Sequence, residues 1–162
     1  MALNRGGKWL DAAPGYRALR SGRRSMPGHA YLVTTCTHQR SFLMVDWRAA
    51  RLVIREMQQL HEEAWLCSQS FVVMPDHVHW LFTLGDVRSL SQVVRRFKGR
   101  SARSINHYLQ RQGPVWETGF HDRLLRREED LKTVARYIIA NPLRAGLVET
   151  VGQYPHWDAV WL

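Results

Sequence analysis

The chain has 162 residues, the length of one domain with short tails rather than two. Apolar residues make up 45% and charged residues 23%, a globular balance that excludes a wholly disordered chain. Against 14 Asp and Glu stand 23 Lys and Arg, for a net +9 and a pI near 10.4, and only three of the 23 are lysines (Lys8, Lys98, Lys132).

Arginine's planar fork suits phosphates and stacked bases, so this excess points to a polyanionic partner. No apolar run approaches the roughly 18 residues of a membrane span. Met1 to Trp9 lacks the apolar core of a signal peptide. Cys36 and Cys67 make neither a disulfide framework nor a thiolate zinc site. The expectation is a cytoplasmic protein with no membrane partner.

Residues 1–29 hold Arg5, Lys8, Arg17, Arg20, Arg23 and Arg24 against the single acid Asp11, and read as a basic N-terminal arm. Residues 30–37 are β-prone and predict the first strand. Asp46 then caps a helix over 47–64, on the spacing of Leu52, Ile54, Met57 and Leu60. A second strand near 67–74 breaks at Pro75-Asp76, and a third runs from His77 to Leu84.

Ser89 or Ser91 caps a long basic helix over about 91–111, which Gly113-Pro114 ends. A short strand near 121–126 follows a loop with Trp116, Gly119 and Phe120. Glu128, Glu129 and Asp130 then crowd the start of a last helix that runs to about Asn141, before Pro142. Strand, helix, strand, strand, helix, strand is the split βαβ, ferredoxin-like order. It predicts an α+β fold, an antiparallel sheet covered by two helices, with an additional C-terminal helix that bears Tyr137. Residues 151–162 read as a short C-terminal tail.

Two residues apart on a strand, His77 and His79 point to one face, whereas Val78 and Trp80 point to the other, toward the helices. Paired imidazoles on a rigid strand can hold a divalent metal and leave coordination positions open. The spacing alone is weak, since eight histidines in this length yield about 0.4 such pairs by chance. Tyr137 and Asn141 lie four apart, on one face of the last helix. A phenol is a poor nucleophile unaided, but a metal that polarises a phosphate makes the phosphorus more electrophilic. Asn141 can offer a neutral oxygen as a third ligand. The plainer alternative makes Tyr137 a rim residue and Asn141 a helix end.

Val73-Met74-Pro75-Asp76-His77-Val78-His79-Trp80-Leu81 resembles the His-hydrophobic-His segment of the single-tyrosine HUH transposases. Tyr137-Ile-Ile-Ala-Asn141-Pro142-Leu-Arg144-Ala-Gly146-Leu-Val148 resembles their tyrosine helix and the turn after it. The closer match is to their REP-associated tyrosine transposase branch, to which Arg17 to Tyr31 and Trp116 to Asp122 are also similar. The resemblance covers about 17–150 and implies a catalytic domain over 30–150.

It further implies that His77, His79 and Asn141 bind Mg²⁺ or Mn²⁺, and that Tyr137 attacks a scissile phosphate to leave a 5′-phosphotyrosine. The implied partner is single-stranded hairpin DNA of the repetitive extragenic palindrome (REP) type. The same likeness favours a monomer over a dimer. The rival reading is a non-catalytic nucleic-acid-binding module of the same fold.

The segment Arg88 to Arg111 carries Arg95, Arg96, Lys98, Arg100 and Arg103 with no acid at all, so the helix is expected to bind DNA. Arg20, Arg23 and Arg24 are expected to follow a groove in the same way. Trp116, with Phe120, is a candidate platform for unpaired bases. Trp47, Trp65 and Trp80 are read as core. His121 and Asp122 are placed near the site.

Overall fold

The computed structural model describes residues 25–126 and 130–161. Arg20, Arg23 and Arg24, and the whole of the arm before Ser25, lie outside the described residues. The elements follow in the order β1 (Ala30–Cys36), α1 (Trp47–Glu62), β2 (Leu66–Met74), β3 (His77–Leu84), α2 (Leu90–Tyr108), β4 (His121–Leu124), α3 (Leu131–Ile139), α4 (Asn141–Arg144) and β5 (Trp157–Ala159). The sheet order is β4-β1-β3-β2-β5, and every pair is antiparallel. The first four strands have the expected split βαβ order.

Local chemistry sets the helix starts. The Asp46 carboxylate accepts from the backbone N–H groups of Arg48 and Ala49, and Ser89 makes a capping box with Gln92. Ser91, the other candidate cap, lies within α2. Asp130 accepts from the N–H of Lys132 at the start of α3. Helices α1 and α2 end earlier than the residue pattern predicts, at Glu62 and Tyr108, and α3 stops at Ile139 before Pro142 opens the single turn of α4.

The strands sort their side chains by alternation. Tyr31, Val33, Phe71, Val73, Val78, Trp80 and Phe82 face α1 and α2 in the main core. Leu32, Val72, Met74 and Leu81 face the other way, where α3 covers them with Leu131, Val134, Ala135 and Ile138. The sheet is therefore filled on both sides, two helices on one and the tyrosine-bearing helix on the other. His79 lies on the α3 side. Directly opposite one another across the strands stand His121, Thr34, His79, Val72 and Trp157.

Residues 151–162, read from the sequence as a tail, hold a fifth strand. β5 pairs with the edge of β2, Val72 against Trp157, and the N–H of Val73 donates to the His156 carbonyl at 2.9 Å. Sequence alternation missed it because three residues are too few to show a period.

Two tryptophans exchange their expected places. Trp116 is only 7% exposed; its indole N–H donates to Ser101 Oγ at 3.0 Å and its ring packs on Phe97. It is core, and cannot stack bases. Trp47, expected in the core, is 61% exposed because the Asp46 cap starts α1 with Trp47 on its outer side. Trp80 is buried as expected, whereas Trp65 is only half-buried.

Candidate active site

Strand β3 presents His77 and His79 side by side, ring centroids 4.8 Å apart and nearly perpendicular. Each ring has its Nδ1 engaged. That of His77 lies 2.6 Å from Asp76 Oδ1, and that of His79 lies 2.8 Å from Thr34 Oγ1 on the neighbouring strand. With Nδ1 committed, the Nε2 atom of each ring is the one left to ligate, the usual arrangement of metal-binding histidines. Arg40 Nε sits 2.9 Å from Asp76 Oδ2, so one carboxylate joins a guanidinium to an imidazole.

The electrostatics suit neutral ligands. Burial first, then the charges of His77, Arg144 and Arg40, push His79 down to about 3. It is therefore a neutral imidazole at neutral pH. Burial alone would raise Asp76, but its hydrogen bond to His77 and the nearby charges of His77 and Arg40 outweigh this, and its carboxyl lies below the ordinary carboxylate range.

On the same side of the sheet, α3 carries Tyr137, half-buried one turn before Asn141. Arg144 ties this helix end together. Its guanidinium lies 3.9 Å from the Tyr137 ring centroid, and its Nη2 donates to the Tyr137 carbonyl at 2.6 Å and to Asn141 Oδ1 at 3.0 Å. The Asn141 amide donates to the Ile138 carbonyl at 2.8 Å, which turns its Oδ1 away from the helix backbone.

Among the described residues no three of His, Cys, Asp and Glu gather as a metal site. His77 and His79 offer two imidazole nitrogens and Asn141 one amide oxygen, donor types that divalent ions take with water in the remaining positions.

The expected DNA contacts divide. Arg95 and Arg103 are exposed on α2, and Arg96 is exposed with its guanidinium over the Trp65 ring. Lys98 is drawn inward, donating to the carbonyls of Glu117 and Gly119, the latter at 2.6 Å. Arg100 pairs with Glu56 of α1 at 2.9 Å and with Glu63, the C-cap of that helix, at 2.7 Å. These two cations brace the structure; the acids that neutralise Arg100 come from another helix, invisible to a reading of α2 alone. Phe120 is partly buried against the main core. The whole of α2 lies across the sheet from the histidines.

Sequence reasoning missed Thr34, Arg40 and Asp76 and assigned no role to Arg144. Asp76, directly before His77, was the one signal available; Thr34 needed the strand register.

Residues 25–141 match the family model described as IS200-like transposase, and the chain belongs to that family. Over 94 residues it is 29% identical to a Haemophilus influenzae protein named among the REP-associated tyrosine transposases, covering 52% of this chain and 53% of that one. It thus spans about half the length of this curated relative. Its fold is similar to that of a REP-associated tyrosine transposase solved with a bound REP hairpin, at 21% identity and TM-score 0.68 over 83% of this chain and 79% of the other. A Deinococcus radiodurans protein named a transposase shares the fold at 23% identity and TM-score 0.53, over 72% of this chain and 93% of that one. No helix among the described residues is long and apolar enough to cross a membrane.

Proposed function

We propose that this chain is a metal-dependent nickase and strand transferase acting on single-stranded DNA at REP-type palindromic hairpins. One observation carries the reading: the face that bears two histidines with committed Nδ1 atoms is the face covered by α3, which carries Tyr137 and is followed at once by Asn141 at the start of α4. His77 and His79 through Nε2, and Asn141 through Oδ1, would hold Mg²⁺ or Mn²⁺. Such an ion supplies Lewis-acid polarisation of a phosphoryl oxygen.

The Tyr137 hydroxyl attacks the phosphorus and the bond to the 3′ oxygen breaks. The phenol proton is lost and the leaving 3′ oxygen gains one, so a 5′-phosphotyrosine and a free 3′-hydroxyl result. Attack by a different 3′-hydroxyl reverses the step and joins new strands, which conserves the ester energy. Arg144, which contacts both Tyr137 and Asn141, sets the nucleophile's orientation. The hairpin substrate follows from the family branch and the net positive charge, and the protein works as a cytoplasmic monomer.

The test is a denaturing gel of end-labelled hairpin DNA with wild type and Tyr137→Phe, in Mn²⁺, Mg²⁺ or EDTA. A covalent adduct that needs both metal and Tyr137 is the expected result. Retarded DNA with no adduct in either metal would instead identify a binding module.

A further inference from the structure

We propose that the exposed surface from Phe42 to Arg55 is a track for the single-stranded DNA beside the hairpin, with bases stacked on Phe42 and Trp47 and phosphates held by Arg48, Arg51 and Arg55. The inference deepens the proposed function and rests on it.

The segment between β1 and α1 exposes Phe42 (69%), Val45 (68%) and Trp47 (61%) within six residues. So much apolar surface in one place marks an interaction site. The segment is well anchored. Met44 between them is buried, its N–H donates to the Pro75 carbonyl at 3.0 Å, and Asp46 caps the helix that follows. An anchored aromatic loses little freedom when a base stacks on it.

The adjoining surface is cationic. Arg48, Arg51 and Arg55 fall at i, i+3 and i+7 on α1 and are all exposed. With Leu52 they line a cavity against Ser104, His107 and Tyr108 of α2, and no lining residue is acidic. Asp46, beside Arg48, is already occupied by the N–H groups of Arg48 and Ala49 and by the Tyr108 hydroxyl at 3.2 Å. Arg48 also lies 5.6 Å from the Trp47 ring centroid. Aromatic faces next to exposed guanidiniums are the chemistry of single-strand binding; a duplex, with its bases already stacked, would leave the rings unused.

The surface also begins where the strand would emerge. Arg40, two residues before Phe42, is paired with Asp76, which holds His77. The turn at Met44 is bonded to Pro75, next to that same Asp76. One continuous segment thus runs from the histidine end of the sheet to the helical layer behind it.

Fluorescence anisotropy of the full chain tests this with two probes, a hairpin carrying an extension of about ten nucleotides and the same hairpin trimmed flush. Trp47→Ala is expected to weaken binding of the extended probe about tenfold while changing the trimmed one less than about twofold. Neutralising the three arginines together (R48Q/R51Q/R55Q) should reduce the slope of log affinity against log salt by about 2, near 0.7 per phosphate. Circular dichroism checks that both variants are folded. Equal losses on both probes would overturn the track in favour of a stem contact. Wild-type binding that neither variant weakens would overturn it too, and a change in sedimentation between wild type and Trp47→Ala would then assign the patch to a second copy. If the wild type binds neither probe, the parent reading falls with it.

Discussion

At the scale of single residues, the site depends on groups to which the two motifs alone assign no role. His77-Val78-His79 is legible because alternation in a strand obliges both rings to share a face. Which ring nitrogen is left for a ligand is decided by Asp76, its neighbour in sequence, and Thr34, 45 residues away and opposite His79 by strand register. Asp76→Ala should therefore weaken Mn²⁺ binding about 10- to 100-fold, as loss of a ligand-orienting partner does, with both histidines still present. Isothermal titration or Mn²⁺ resonance measures this without DNA, and unchanged affinity would exclude the orienting role. Arg144 reaches three groups at once: the Tyr137 ring, the Tyr137 carbonyl and Asn141 Oδ1. Arg144→Ala should slow single-turnover adduct formation by about 10- to 100-fold, because a small misplacement of a nucleophile has effects of that size. Hairpin affinity should stay close to wild type. Arg144→Lys should not restore the rate, since an ammonium has no planar fork to cover a ring and bond two oxygens together.

Whole elements were legible in proportion to their length and repetition. Helix α1, with its cap and regular apolar spacing, and β3, with its alternation, lie within two residues of their expected bounds. Strand β5 and the burial of Trp116 were not, because each is created by contacts distant in sequence. β5 exists as a strand only against the edge of β2, and Trp116 is drawn in by Ser101 and Phe97. The docked C-terminal strand carries its own pH response. His156 is buried with no partner at Nδ1, and burial, followed by the charge of Arg51, lowers its pKa below 6.5. An undocked tail takes up a proton more readily than the docked one, so docking is at full strength above about pH 6.5 and weakens as the pH falls below it. The Val73 amide, bonded to the His156 carbonyl, reports the event. Its hydrogen-exchange protection factor should be smaller near pH 5.5 than near 7.5, whereas His156→Gln should flatten the difference. A protection factor independent of pH would show that His156 does not govern docking.

Taken as a whole, the molecule divides its work across the sheet. One side holds the histidine pair under the tyrosine-bearing helix; the other holds α1 and α2, with much of the positive charge on their outer surfaces. A helix read alone makes every arginine on α2 equivalent, and only the packing separates those that bind outward from those that hold the layer together. Arg100 belongs to the second kind. It bridges α2 to α1 through Glu56 and to the C-cap Glu63, with Gln59 at 2.6 Å from its Nη2, and Glu56 is nearly inaccessible. Desolvation holds the Glu56 carboxyl above its ordinary pKa, and the charge of Arg100 opposes this. Arg100→Gln would leave a buried carboxylate without its cation, at a cost of about 1–3 kcal/mol. For a protein of this size that corresponds to a fall in Tm of roughly 2–12 °C. The same variant should bind hairpin DNA with near wild-type affinity below its own Tm, and Glu56→Gln should recover part of the lost stability by removing the orphaned charge. Arg103→Gln, at an exposed position one turn away on the same helix, should do the reverse: Tm close to wild type and a salt slope reduced by about 0.7. Thermal melts and anisotropy on these three variants decide the matter. If Arg100→Gln keeps its Tm and loses DNA, then α2 offers its cations to the strand as a single row, and the division of labour between them is wrong.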